Sequence, residues 1–192
     1  MTINIDHYQD SGYVSAGRGS VNTLITNIGL KASGSSEDTS FAVYPIIRPT
    51  TAPLSYSYEY YTYFKLSGTY AKGSRVRIVL SGYPNNPAPT GFEGPEEGLR
   101  LYYRLTNTYS TPDGNYDGDL VFYDGTTLTL YPKISTIGPT TGLAYHQYLD
   151  ANTTYFTQYV KLVVIAEQAD SFGNMGEVKL ECFVDEYEDT DL

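Results

Sequence analysis

The chain has 192 residues, with 12 basic and 22 acidic side chains and a net charge of -10. Its hydrophobic fraction of 41% is typical of a globular protein and too high for a disordered one. The acidic balance argues against a protein that binds a nucleic-acid backbone, which needs a basic patch. No apolar run reaches the roughly 20 residues of a membrane helix. A single soluble domain, bound neither to nucleic acid nor to a membrane, is therefore expected.

The N-terminal segment shows little pattern. Residues 1–20 lack clear alternation after Ile5 and contain Gly12, Gly17 and Gly19. Such a stretch buries too little apolar surface to order itself. We therefore predict a flexible N-terminal arm over residues 1–20 that is ordered only against a partner chain. The first ten residues are polar and mixed, so no secretory signal peptide is expected.

From residue 21 onward the sequence is dominated by alternation of apolar and polar residues. Val76, Ile78 and Leu80, for example, alternate with Arg75 and Arg77. This period predicts half-buried strands with one face on a core and the other in water. The predicted strands are residues 21–28, 41–47, 56–67, 74–80, 99–106, 120–123, 126–131, 155–166 and 177–187.

About eight or nine strands separated by turn residues predict an all-β fold. We expect an antiparallel β-sandwich, jelly-roll-like or immunoglobulin-like, over residues 21–187, followed by an acidic tail over residues 188–192. The dipeptide Asp124-Gly125 between two predicted strands is typical of a two-residue hairpin. Residues 83–98 contain four prolines and are predicted to be a long loop. The predicted core is Val76, Ile78, Leu80, Leu101, Leu105, Leu162, Val164, Leu180 and Val184.

The sequence offers little to support catalysis. It has two histidines, His7 and His146, and contains no nucleophile elbow, no phosphate-binding loop and no zinc-protease motif. The single cysteine, Cys182, excludes an internal disulfide, and its place on the apolar face of a strand predicts a small buried residue rather than a reactive thiol. We therefore expect no enzyme, no catalytic residue and no organic cofactor.

One segment has the spacing of a calcium-binding loop. Residues 113–124 follow the D-x-N-x-D-G pattern, in which Gly118 would permit the sharp turn and oxygen ligands would converge on the ion. The flanks read as strands rather than the helices of an EF-hand, and Asp rather than Glu stands at the twelfth position. The alternative is a pair of ordinary Asp-Gly turns. The candidate ligands are the side chains of Asp113, Asn115, Asp117 and Asp124 and the carbonyl of Asp119.

A second segment is rich in tyrosine, which accounts for 21 residues of a chain without tryptophan. Tyrosine has an apolar ring and a polar tip, which suits partly hydrated interfaces. Three interpretations are open: cross-strand packing within the domain, a subunit interface, or a platform for a glycan. The absence of tryptophan counts against the glycan. The tyrosines concerned are Tyr56, Tyr58, Tyr60, Tyr61 and Tyr63.

The chain resembles small structural proteins of tailed bacteriophages, with the greatest likeness to those of phages infecting marine cyanobacteria. The residues that carry the resemblance are YTYFKLSG at 61–68, LYYRLTNTY at 101–109, and GNMG at 173–176 before a final strand that ends in DEY. The likeness covers about residues 55–190. It implies a β-sandwich component of a virion and supplies no catalytic residue.

From these observations we expect a non-enzymatic virion protein, assembled in the host cytoplasm, that acts by subunit packing with other virion proteins or as a homo-oligomer. A capsid decoration or surface protein is favoured over a tail, neck or baseplate component, because the domain is small and has no fibre-like repeat. A module that binds glycans of the host surface is the alternative.

Overall fold

A computed structural model describes residues 2–15, 18–26, 28, 55–57, 59–82, 100–110, 119–122, 126–145, 148–166 and 178–187. These residues form antiparallel strands in two sheets that pack face to face, which confirms the predicted β-sandwich. The described residues include no helix long and apolar enough to cross a membrane.

The large sheet has the order β2-β1-β4-β12-β6-β7, with β3 paired to β12, β11 paired to β4, and β9 paired to β11. In the small sheet β5 is central, flanked by β13 on one side and by β10 and β8. The strands are β1 (Thr2–Ser15), β2 (Arg18–Leu24), β3 (Ser55–Tyr56), β4 (Tyr60–Thr69), β5 (Lys72–Gly82), β6 (Arg100–Thr106), β7 (Leu120–Phe122), β8 (Thr127–Leu130), β9 (Ile134–Ser135), β10 (Tyr148–Leu149), β11 (Tyr155–Thr157), β12 (Tyr159–Ala166) and β13 (Val178–Tyr187).

The main core lies between the two sheets. Inward-facing residues of β5 and β13 meet those of β4, β6 and β12, because side chains two apart on a strand share a face. Seven of the nine predicted core residues are buried, while Leu105 and Val184 are partly buried at its margin. A second apolar cluster continues the core around Leu66, Tyr70 and Leu149.

The predicted hairpin at Asp124-Gly125 is wrong. The strand before it, β7, pairs with β6 in the large sheet, whereas the strand after it, β8, pairs with β5 in the small sheet. The segment therefore connects the two sheets. A turn signal indicates a reversal of direction, but the core face of each strand decides which sheet it joins. Asp124 and Gly125 themselves, and the predicted strand 41–47 and loop 83–98, lie outside the described residues.

The N-terminal segment is not a flexible arm within the described residues. β1 pairs with β4 from Thr2↔Thr69 to Asp10↔Tyr61, and it forms a hairpin with β2. This strand needs no strong apolar alternation, because the main-chain ladder on both sides satisfies its backbone groups. The prediction failed because it judged order by apolar pattern alone.

The strand β12 is buried on both faces, unlike the half-buried strand that was predicted. Val160, Leu162 and Val164 face the small sheet, and the alternate residues Tyr159 and Lys161 on the outer face are buried as well. The outer face of the large sheet is therefore buried at these positions, and its buried polar side chains form the first candidate site.

Candidate functional site

The structure describes one of the five candidate calcium ligands. Asp113, Asn115, Asp117 and Asp124 lie outside the described residues. The side chain of Asp119 is fully buried, and its Oδ2 lies 2.9 Å from Nζ of Lys161. Neither oxygen of this carboxylate accepts a well-aligned hydrogen bond from the described residues, so the ion pair is what compensates its charge. The calcium site, in which Asp119 would contribute only its carbonyl, stays a prediction.

The described residues include no group of three or more histidine, cysteine, aspartate or glutamate side chains that could hold a metal ion. Lys161 belongs to β12 and faces Tyr61 of β4 on one side and Arg104 of β6 on the other. A buried charge is costly unless it is paired. The Asp119–Lys161 pair therefore fastens the start of β7 to the outer face of the large sheet.

Three of the five candidate interface tyrosines are buried within the domain. Tyr60 faces the main core, whereas Tyr61 and Tyr63 lie on the outer face of the large sheet. The described contacts of all three agree with cross-strand packing within the domain. Because their rings are buried, they do not offer a surface to a partner in this conformation. Tyr58 and the side chain of Tyr56 lie outside the described part of the chain, although the backbone of Tyr56 pairs with Ile165.

The outer face of the large sheet holds a cluster of four buried tyrosines, Tyr61, Tyr63, Tyr109 and Tyr159, here called the tyrosine cluster. The ring of Tyr159 stands edge-on to those of Tyr61 and Tyr63, with centroids 5.8 and 5.6 Å away. Tyr109 packs on Tyr61 at 4.8 Å. Edge-to-face aromatic pairs are favourable because the positive ring edge meets the negative ring face.

A buried carboxylate ties the N-terminal hairpin to this cluster. The hydroxyl of Tyr159 donates to Oδ2 of Asp10, and Nδ2 of Asn22 donates to Oδ1 at 2.7 Å. Nδ2 of Asn22 also donates to the hydroxyl of Tyr63. We call these four residues the Asp10 latch, since they join β1, β2, β4 and β12. Sequence reasoning missed Asp10 because it treated residues 1–20 as an arm.

Burial determines the protonation of Tyr61, whose ring packs against Tyr159 of the latch. Desolvation, followed by the nearby charge of Glu59, raises the pKa of Tyr61 to about 12. At neutral pH this phenol is therefore a neutral hydrogen-bond donor and not a nucleophile. Through the hydroxyl of Tyr159 the cluster holds the Asp10 carboxylate in place, which is a structural property.

The histidine and the cysteine that the structure describes are also structural, while His146 lies outside the described residues. His7 stacks on Phe64 with ring centroids 4.3 Å apart, and burial lowers the pKa of its imidazole to about 4. Burial raises the pKa of the Cys182 thiol to about 12, and the side chain packs against both apolar clusters of the core. Neither residue has the environment of a general base or an activated thiol.

Large exposed apolar side chains recur in residues 131–145 and at Tyr148, a region here called the tyrosine loop. Four large side chains project from it: Tyr131, Ile137, Tyr145 and Tyr148, with exposed fractions of 62, 70, 74 and 43%. The bridge between Ile134 and Ala144 places Lys133 beside Tyr145, and the lysine Nζ lies 5.5 Å from the centre of that ring.

Hydrogen bonds hold the backbone of the tyrosine loop in place. The Ser135 hydroxyl donates to the carbonyl of Thr141 and accepts from the amide of Ile137 at 3.1 Å. The amide of Lys133 donates to the side chain of Gln158 at 2.7 Å. The exposed rings thus project from a fixed backbone, which lowers the entropy that they would lose on contact with a partner. No signal in the sequence distinguished these tyrosines from the buried ones.

No family model matches this chain, and no similar curated protein and no similar solved structure is found.

Proposed function

We propose that this chain is a non-enzymatic structural component of a phage virion, a capsid decoration or surface protein that acts by packing against neighbouring subunits. The observation that carries the proposal is the tyrosine loop, where Tyr131, Ile137 and Tyr145 stand exposed on a fixed backbone. The resemblance of residues 55–190 to small phage structural proteins supports the same role.

The chemistry of the tyrosine loop favours a protein partner. The centres of protein interfaces are enriched in tyrosine and other large apolar residues, and large exposed apolar patches mark such sites. A rigid scaffold that presents a few aromatic anchors is what an interface hot spot needs. Packing by these side chains requires no catalytic group and no cofactor.

The place of the protein in the particle is tested by its copy number. Quantitative mass spectrometry of purified particles measures the number of copies relative to the major capsid protein. A copy number close to that of the capsid subunits, or a fixed fraction of it, supports decoration of the capsid. A number set by the six-fold or three-fold symmetry of a tail supports a tail, neck or baseplate component. Absence from the particle refutes the virion role.

The contribution of the tyrosine loop is tested by substitution. Tyr145→Ser and Ile137→Ser remove exposed apolar surface and leave the core intact, so the monomer should keep its unfolding midpoint and lose incorporation into particles. Leu24→Ser is the matched control, because Leu24 is also exposed but lies in β2, away from the loop. Equal incorporation of all three variants refutes packing through this surface.

A second candidate function, glycan binding, is favoured by the cation–ring arrangement of Lys133 and Tyr145. Exposed aromatic rings stack on the apolar faces of sugars, and an adjacent cation adds a polar contact. A glycan array separates the two functions: binding to a defined sugar that is lost in Tyr145→Ala supports recognition of a host glycan. The earlier candidate Tyr60 is buried, so its substitution tests folding rather than binding.

A further inference from the structure

A lysine amine and a carboxylate are buried in contact with each other on the outer face of the large sheet. Nζ of Lys161 lies 2.9 Å from Oδ2 of Asp119, and the two side chains are 9% and 0% exposed. Lys161 belongs to β12, whereas Asp119 immediately precedes β7, so the contact joins two separate parts of the sheet. A lysine is an amine as well as a charge, so this contact also places a nucleophile beside a carboxyl group.

The surroundings of Asp119 are poor for an ionised carboxylate. Neither of its oxygens accepts a well-aligned hydrogen bond from the described residues. Buried ions are costly unless they are both paired and hydrogen-bonded, because they lose their hydration. A neutral amide in the same place would remove both buried charges and leave a single carbonyl oxygen, which costs less to bury. Burial therefore favours condensation of this pair.

A second buried carboxylate belongs to the same region. Glu59 is 6% exposed and lies two residues before Tyr61, which is opposite Lys161 in the β4–β12 ladder. After desolvation, the charge of Glu59 and, more weakly, that of Asp119 raise the pKa of Tyr61 to about 12. Both carboxylates are therefore close to Tyr61, the neighbour of the lysine. A carboxylate in that position can carry protons between nitrogen and oxygen.

We propose that Lys161 and Asp119 condense into an internal amide bond between their side chains, with Glu59 as the proton carrier. Nζ forms a bond to Cγ of Asp119, and the bond between Cγ and Oδ2 breaks. Two of the three ammonium protons pass to Oδ2 by way of the Glu59 carboxylate, and this oxygen leaves as water. Nζ keeps one proton, Oδ1 becomes the amide carbonyl, and Glu59 returns to its starting state, so no oxidant or further reactant is required.

The fold supplies what this condensation lacks in free solution. The 2.9 Å contact holds the amine against the carboxyl group, one bond from the carbon that it attacks, and such fixed proximity replaces a bimolecular encounter. Burial keeps away the bulk water that would reverse the reaction. The product ties β12 covalently to the start of β7, and chains that have not reacted keep the ion pair. This inference does not depend on the virion role.

Intact mass spectrometry of the folded, full-length chain tests the proposal. The wild-type protein should have a mass lower by one water molecule than its sequence requires. Trypsin should then leave the chain uncut after Lys161 and release one branched peptide, in which residues 105–133 are joined to residues 134–179. A full intact mass after prolonged incubation of the folded protein, with separate peptides that end at Lys161, would overturn the proposal.

Two variants identify the groups that react. Lys161→Arg is the matched control, because arginine keeps the cation beside Asp119 and has no amine that condenses, so this variant should keep its full mass. A loss of water that persists in it comes from elsewhere, such as cyclisation at an Asp-Gly sequence, and would overturn the proposal. Glu59→Gln keeps the size of the side chain and removes the proton carrier, so this variant should also keep its full mass. Loss of water from Glu59→Gln to the wild-type extent would refute the part assigned to Glu59, whereas the branched peptide of the wild-type chain decides the bond itself.

Discussion

Acid should destabilise this protein through His7, because the folded chain holds that imidazole in its neutral form. The hydroxyl of Thr62 donates to the carbonyl of Tyr8 at 2.7 Å, so Nε2 of His7 must be the donor in its bond to Thr62. Protonation therefore adds a charge at Nδ1 while the ring is stacked on Phe64 and largely shielded from water. Desolvation lowers the pKa from 6.5 to about 4.

The sign and size of the effect follow from this shift. A group whose pKa is lower in the folded state binds its proton more readily when the chain is unfolded, so stability is complete above pH 6.5 and declines as the pH falls toward 4. One pKa unit corresponds to about 1.4 kcal/mol, which gives about 2 kcal/mol lost at pH 5 and about 3 kcal/mol once the folded imidazole is protonated.

The assay is urea unfolding at pH 7 and pH 5, for the wild-type chain and for His7→Gln. Glutamine keeps a donor for Thr62 and does not titrate, whereas the carboxylates titrate in both chains and cancel in the comparison. The wild-type chain should lose about 2 kcal/mol more than the variant between these two pH values. Equal losses in the two proteins would refute the claim that His7 is held neutral by burial.

Three further predictions concern the buried charge, the core and the acidic loop. Lys161→Met leaves the buried Asp119 carboxylate without its ion-pair partner and should lower the free energy of unfolding by about 3–5 kcal/mol. Addition of Asp119→Leu to that variant should restore most of this free energy. Urea titrations that show no restoration in the double variant would contradict the ion pair. Leu162→Ala in the core should cost about 2–5 kcal/mol, against less than about 0.5 kcal/mol for the exposed Leu24→Ala, as measured by the same titrations. If residues 113–124 bind calcium, the free energy of unfolding of metal-stripped protein should rise by about 2.7 kcal/mol at a calcium concentration one hundred times the dissociation constant, and Asp117→Ala should abolish this gain. A melting midpoint that calcium does not change would show that the segment forms two ordinary Asp-Gly turns and no calcium site.

The class of fold could be predicted from local pattern. Alternation at Val76, Ile78 and Leu80 places three side chains on one face, and the structure buries all three between the sheets. This inference depends only on the two-residue period of a strand and on the cost of leaving apolar side chains in water. The same logic predicted antiparallel sheets with Leu162 and Val164 inside.

Pairing partners and the second face of the large sheet were decided by tertiary structure. Nothing local at Asp124-Gly125 indicates that β7 and β8 join different sheets, because a strand's apolar face fits either side of the core. The hydrophilic residues Asp10 and Lys161 read as solvent-exposed in the sequence. They are buried because partners distant in the chain, Tyr159 and Asp119, meet them across the sheet.

The N-terminal strand shows most clearly what a side-chain pattern does not predict. By composition residues 1–20 favour disorder, yet β1 is ordered because β4 offers a complete ladder of main-chain partners more than fifty residues away. The energy of that ladder resides in backbone groups, which are the same in every sequence, so no side-chain pattern reports it. Sequence alone therefore determined that this protein is a β-sandwich, and only the tertiary structure decided which strands share a sheet and which charges are buried.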